Sequence, residues 1–176
     1  DLAGVVDALL SREAALQSLA SDQQKAGAII GVKEQVMLNY PDAGEYSYFA
    51  LRADILKYLR LLQPDFVCTC DPWLTYEAHH DHIQTGRAVA EAVLFCGLTR
   101  IPSSDAAVDA AYQGHSIEGV GFYYSRGPNL IVDISSAWDA KVAAIIDLCR
   151  RRGIVFQLVP AAALERKAGP RSQGVW

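Results

Sequence analysis

The sequence predicts an α/β fold, a three-layer Rossmann-like arrangement in which a mainly parallel sheet is flanked by helices. Two observations predict it. Stretches with apolar residues at helical spacing alternate with short apolar runs of strand length, the pattern that yields parallel sheets covered by helices. The composition is also that of a globular domain: 176 residues, 51% hydrophobic, 20% charged, net charge −4. That length suits one domain with its own core, expected over residues 1–159, with 160–176 as a C-terminal tail. The acidic balance excludes a general nucleic-acid binder, which needs a basic surplus. The Arg150-Arg151-Arg152 run reads as a solvated helix end. No run approaches the ~18 apolar residues of a membrane span. The opening DLAGVVDALLSREAAL lacks the basic segment of a signal peptide.

The elements follow in order. Residues 4–30 read as helix, with a break near Ser21-Asp22 and Gly31 at its end. Val36–Tyr40 reads as a strand before the turn Pro41-Asp42-Ala43-Gly44. Ser47–Leu62 is the clearest helix: Leu51, Ile55, Leu59 and Leu62 recur on one side, with Arg52, Asp54, Lys57 and Arg60 on the other. Phe66–Cys70 (FVCTC) reads as an interior strand. A helix over about Asp81–Cys96 turns Ile83, Ala90, Val93 and Leu94 inward. Residues 98–116 are irregular apart from a helical turn near Ala106–Ala111, and His115 there reads as exposed. Ile117–Tyr124 and Asn129–Ile134 read as strands around Gly127-Pro128-Asn129. A last helix runs from Ser135 or Ser136 to about Arg150, with Trp138 on its core face. The cysteines, Cys68, Cys70, Cys96 and Cys149, show no paired CxxC spacing. They read as buried free thiols of a reducing, cytoplasmic compartment.

YEAHHDH, residues 76–82, holds three of the four histidines. It lies after the FVCTC strand and before a helix, where α/β folds bind ligands. With a helix starting near Asp81, His82 projects from the first turn and His79 sits at its mouth, so both imidazoles can face one crevice. Neutral imidazole is a good zinc ligand, a neighbouring carboxylate fixes its tautomer, and a helix N-terminus favours developing negative charge. The bland alternative is a polar surface loop. Nearby, Asp71 either supports the site or caps the loop before Pro72. Tyr76 either donates to a substrate carbonyl or packs at a loop edge. Trp73 is a candidate platform for a sugar ring. Asp133 either bonds across the site or caps the following helix.

The order strand, Asp71-Pro72, loop, His79-His80-Asp81-His82, helix resembles the second signature of the LmbE-like (PIG-L-like) zinc-dependent N-deacetylases, HPDH leading into a helix. Other stretches match in order. Gln24–Val32 resembles that family's Ala-rich helix followed by Leu-Gly-Val, and Leu38–Asp42 its strand end before an Asp. Gln63-Pro64-Asp65 resembles its Arg-Pro-Asp, and Val132–Ser135 with Lys141 its Asp-Ile-Ser segment. The resemblance covers roughly residues 20–147 and implies roles. His82 would be a Zn2+ ligand. His79 would stabilise the tetrahedral intermediate or act as acid toward the leaving amine, and Asp81 would orient its neighbours. The implied reaction is hydrolysis of an acetamide on an N-acetylglucosamine-type sugar or conjugate by zinc-activated water.

Departures are visible too. The family's HPDD-type first signature, which supplies further zinc ligands and a general base, has no counterpart, since no His precedes His79. The expectation is a chain whose first strand is missing, with a bare sheet edge that would invite self-association into a homo-oligomer. New ligands taken from Asp42, Asp71 or Glu77 are the least expected way to complete the site. His80 replaces the usual Pro and is expected to face solvent or the substrate rim rather than to ligate. The competing reading is a non-catalytic α/β binding or assembly module that retains half of the metal site. A more distant one is another metal-dependent hydrolase, such as an esterase.

Overall fold

The computed structural model describes residues 12–152. The expected helix start before residue 12 and the tail over 160–176 lie outside them. In chain order the described residues form α1 (Arg12–Ile30), α2 (Tyr48–Leu62), β1 (Phe66–Cys70), α3 (His80–Phe95), α4 (Ala106–Ala111), β2 (Gly119–Tyr123), a 3-10 turn (Ser135–Ala137) and α5 (Trp138–Arg151). They fall into two compact units, one built on α1 and α5, the other spanning Leu38–Ile131. No described helix is long and apolar enough to cross a membrane.

The Leu38–Ile131 unit is a βαβ crossover with α2 and α4 added. β1 pairs with β2 in parallel, Phe66 opposite Gly119 and Cys70 opposite Tyr123. Between them α3 packs on both strands, and α2 packs on α3 and α4. Thus the expected helix-flanked parallel sheet is present, but its described part has only two strands. Val36–Tyr40 is not a strand: it has no pairing partner among the described residues, and Asn39 turns left-handed at φ 60°. Asn129–Ile134 is not one either, with Tyr124 left-handed at φ 63° before it and Leu130, Ile131 and Val132 exposed. Nor is β1 interior throughout, since Phe66 and Cys68 are exposed.

α2 starts where Ser47 Oγ accepts from Ala50 N at 3.3 Å. It stops at Gln63, left-handed at φ 45°, before Pro64. Its buried stripe is Leu51, Leu56, Leu59 and Arg60: Leu51 and Leu59 are as expected and Ile55 is partly buried, but Leu62 is exposed. Leu56 and Leu59 meet Ala92, Cys96 and Tyr112 in the core, with Ile55, Val67, Val93, Ile101 and Ile117 around them. On α3 the buried residues are the small ones, Gly86, Ala88, Val89 and Ala92, while Leu94 is exposed. Small side chains let this helix approach both the sheet and α2, which the size of an apolar residue alone does not signal.

Arg60 overturns its expected place on the solvent side. Its side chain is fully buried. It donates to Asp109 Oδ1 at 2.5 Å and to the carbonyls of Cys96, Leu98 and Ile101 at 3.4, 3.1 and 3.0 Å. One guanidinium therefore satisfies the carbonyls of the loop after α3. His115 is half-buried rather than exposed, with Nε2 2.9 Å from Pro64 O.

In the other unit α1 runs unbroken through Ser21-Asp22. Asp22 is buried and takes Arg151 and Arg152, so those two arginines are paired rather than simply solvated. Trp138 is about half exposed rather than on a core face.

Candidate functional site

β1 ends at Cys70, and the chain then makes two tight turns. Asp71 N donates to Tyr123 O at 3.1 Å, Leu74 N to Asp71 O at 3.4 Å and Glu77 N to Leu74 O at 3.2 Å. Tyr76 takes a left-handed φ of 72° in the second turn. This delivers His79 as the N-cap residue of α3, its carbonyl accepting from His82 N and Ile83 N at 3.1 and 3.2 Å. The His79 side chain makes no cap bond and lines a cavity at the helix mouth instead.

Gly86 fixes how close α3 comes. A Cβ there would lie 2.6 Å from Cys70 O and 2.9 Å from Pro72, so only glycine lets the helix touch the end of the strand. Cys70 Sγ, 3.0 Å from His82 O, ties the same strand end to the first turn of α3.

The His79 and His82 rings stack, centroids 4.4 Å apart and planes 18° from parallel. Glu77 bridges them: Oε1 accepts from His79 N at 2.8 Å, and Oε2 lies 3.1 Å from His82 Nδ1. The His79 N–H and then the His82 ring hold the Glu77 carboxyl below its ordinary value, so it is ionised at neutral pH. A carboxylate on Nδ1 selects the tautomer that leaves Nε2 as a lone-pair donor.

Asp81, in the first turn, is held from the Pro41–Tyr46 loop. Its Oδ1 accepts from the Tyr46 hydroxyl at 2.7 Å and its Oδ2 from Ala43 N at 2.8 Å. Burial pushes the Asp81 carboxyl up, but those two donors, with His79 and His80 nearby, outweigh it and keep it below the usual range. Burial, then the bond to Asp81, pushes the Tyr46 phenol up to about 12, so it stays a donor. His79 Nδ1 is 3.9 Å from Asp81 Oδ2, and its Nε2 is 3.9 Å from Asp42 Oδ1. One ligand atom from each of Asp42, His79 and Asp81 lies within 4.8 Å of the others, a group able to converge on a cation. The cavity beside them, of about 920 Å3, is lined by residues 43–46 and by Ala78, His79 and His80. His80, as expected, is exposed at its rim, its Nε2 3.0 Å from Gln84.

The other candidates are not among the described residues that line the cavity. Trp73 and Tyr76 are exposed and are not among the described residues lining the cavity; Trp73 stands edge-on to Phe122 at 5.3 Å. Asp71 Oδ1 accepts from Trp73 N at 2.9 Å, closing the first turn. Asp133 belongs to the other unit, where Oδ1 accepts from Ser135 N and Oγ at 2.8 and 2.6 Å. The groups absent from the sequence-based site are Tyr46 and Ala43 N, which reach Asp81 from 35 and 38 residues away. Nothing in local spacing signals such contacts. Glu77 was findable, because a carboxylate five residues before a histidine at a helix start is within reach of that ring.

The family model described as PIG-L: GlcNAc-PI de-N-acetylase matches residues 10–93, which include the whole His cluster. The diacetylchitobiose deacetylase of Thermococcus kodakarensis is 37% identical over 143 residues, 81% of this chain and 52% of that protein. The chain thus spans about half the length of that relative. A solved structure of N,N'-diacetylchitobiose deacetylase from Pyrococcus horikoshii, complexed with its inhibitor MPG, is similar with a TM-score of 0.67 and 32% identity, over 92% of this chain and 57% of that one. The conserved protein TT1542 from Thermus thermophilus shares the fold, with a TM-score of 0.62 and 23% identity over 86% and 64% of the two chains. In its sequence match over residues 10–93 and in its fold, the chain is similar to the PIG-L (LmbE-like) family.

Proposed function

We propose that this chain carries catalytic residues of a zinc-dependent N-deacetylase that removes the acetyl group from an N-acetylglucosamine-type sugar or its conjugate. The observation that carries this reading is the stacked His79–His82 pair, with Glu77 on His82 Nδ1 and with His79 lining the cavity. The names of the relatives, which concern GlcNAc-PI and diacetylchitobiose, support the substrate class. The supporting evidence for one deacetylase-like domain over residues 1–159 is a structural likeness that extends over 92% of the chain. The four free cysteines support a reducing, cytoplasmic setting.

The residues fit a divalent zinc ion. Imidazole and carboxylate are its ordinary borderline donors, and His82 Nε2 is left as a donor by the Glu77 contact. Both Asp81 oxygens already accept hydrogen bonds, which suits Asp81 to orienting rather than ligating, while the largely exposed Asp42 is the carboxylate available to a cation. Bound zinc supplies Lewis acidity and a water of lowered pKa. The chain's own groups do the rest. His79 faces the cavity and delivers a proton to the leaving amine. Asp81 holds the side of that ring at Nδ1, and Asp42 stands at its Nε2. The 43–46 loop and His80 form the wall against which the sugar lies.

The test is acetate release from N-acetylglucosamine and diacetylchitobiose by the zinc-loaded protein, with and without chelator. Acetate release that chelation abolishes and zinc restores is the expected result. Zinc-loaded, folded protein that releases no acetate from either sugar or from a GlcNAc conjugate would favour the binding-module reading.

A further inference from the structure

We infer that Tyr46 is a positioning residue of this site: together with Ala43 N it aims the Asp81 carboxylate at His79. The inference rests on the deacetylase reading for its catalytic consequence, but its geometry stands independently. Asp81 sits in the first turn of α3, where unpaired backbone N–H groups and the helix dipole attract a carboxylate. Left alone, it would swing toward its own helix. Two donors from the Pro41–Tyr46 loop prevent this by taking one oxygen each, the Tyr46 hydroxyl at 2.7 Å and Ala43 N at 2.8 Å. The plane of the carboxylate is thereby set, with Oδ2 3.9 Å from His79 Nδ1.

The loop that performs this is itself braced. Tyr40 packs edge-on against Tyr46, centroids 5.1 Å apart, and its hydroxyl donates to Asp54 Oδ2 on α2 at 2.6 Å. Pro41 and Gly44 pack so closely that a Cβ on Gly44 would lie 2.8 Å from the proline ring, and Gly44 N donates to Pro41 O at 3.4 Å. The phenol of Tyr46 is therefore delivered from a supported turn. Asp42, in the same turn, stands at the other nitrogen of the His79 ring. One loop thus controls both sides of that imidazole: Asp42 directly, and Tyr46 through Asp81.

Tyr46→Phe removes only the hydroxyl and keeps the edge-on contact. Outer partners of this kind are worth about 10–100-fold in activity. The expected result is a kcat lowered by that factor, with KM within about twofold and the unfolding midpoint unchanged. Ser47→Ala serves as the control, because it removes the adjacent cap of α2 without touching Asp81. This control should lower the unfolding midpoint and leave kcat alone. A Tyr46→Phe kcat within twofold of the parent overturns the inference, as does a loss of kcat that Ser47→Ala reproduces. The 15N signals of the His79 ring, read at one fixed pH in zinc-free protein, separate this from the deacetylase reading. If the parent releases no acetate, that reading fails. A ring signal moved by Tyr46→Phe and not by Ser47→Ala still supports the positioning role, and an unmoved signal overturns it.

Discussion

Replacing His79 with alanine is expected to lower kcat for deacetylation by about 10²–10⁴-fold, the usual contribution of a positioned acid–base group. KM and zinc content should change little. The reason lies in where the ring stands. His79 is the cap residue of α3, yet its side chain takes no part in capping. Its backbone already does the structural work, since its carbonyl holds His82 N and Ile83 N and its N–H binds Glu77. Truncation beyond Cβ therefore leaves the helix start intact and removes only the imidazole from the cavity wall. Steady-state kinetics and zinc analysis on the same preparation check this. Loss of zinc in parallel with kcat would show that His79 ligates the metal through the Asp42–His79–Asp81 group, and would remove the acid role proposed for it.

Arg60→Met should destabilise the protein by about 3–5 kcal/mol, the cost of removing one member of a buried ion pair. The guanidinium is fully buried, and its loss leaves Asp109 without its cation and removes the bonds to the carbonyls of Cys96, Leu98 and Ile101. Methionine matches the stem but offers no N–H. The pair also has a pH signature. Burial pushes Asp109 up, but bonds from Ser103 and Arg60 outweigh it and hold the carboxyl below its ordinary value. A carboxylate depressed in the folded state stabilises it above the unfolded pKa of about 3.9 and loses that contribution as pH falls through the folded value. Urea unfolding should therefore show the parent losing stability below about pH 4 more steeply than Arg60→Met. Equal midpoints for the two proteins at pH 7 would contradict the clamp.

These two residues show what the sequence makes legible and what it hides. His79 and His82 stand out because the chemistry is local: two imidazoles three apart, after a strand and at a helix start. α2 and β1 are legible for the same reason, as 3.6-residue periodicity and a short apolar run. Arg60 is misread because its acceptors come from 36 to 49 residues later, and a charged residue on an amphipathic pattern is assigned to solvent by default. Val36–Tyr40 and Asn129–Ile134 have strand composition, but a strand exists only by pairing, and neither has a partner among the described residues. The Tyr46–Asp81 bond is invisible in sequence because a loop and a helix start meet only once α2 and α3 have packed.

The zinc content of the protein purified without chelator, measured per chain for the parent and for His82→Ala side by side, is the most direct test of the proposed centre. In the proposed centre His82, held by Glu77 through Nδ1, is the ligand the site cannot spare. Near-stoichiometric zinc in the parent and its loss in a folded His82→Ala protein is the expected result. Equal zinc in the two, or none in either, would contradict it.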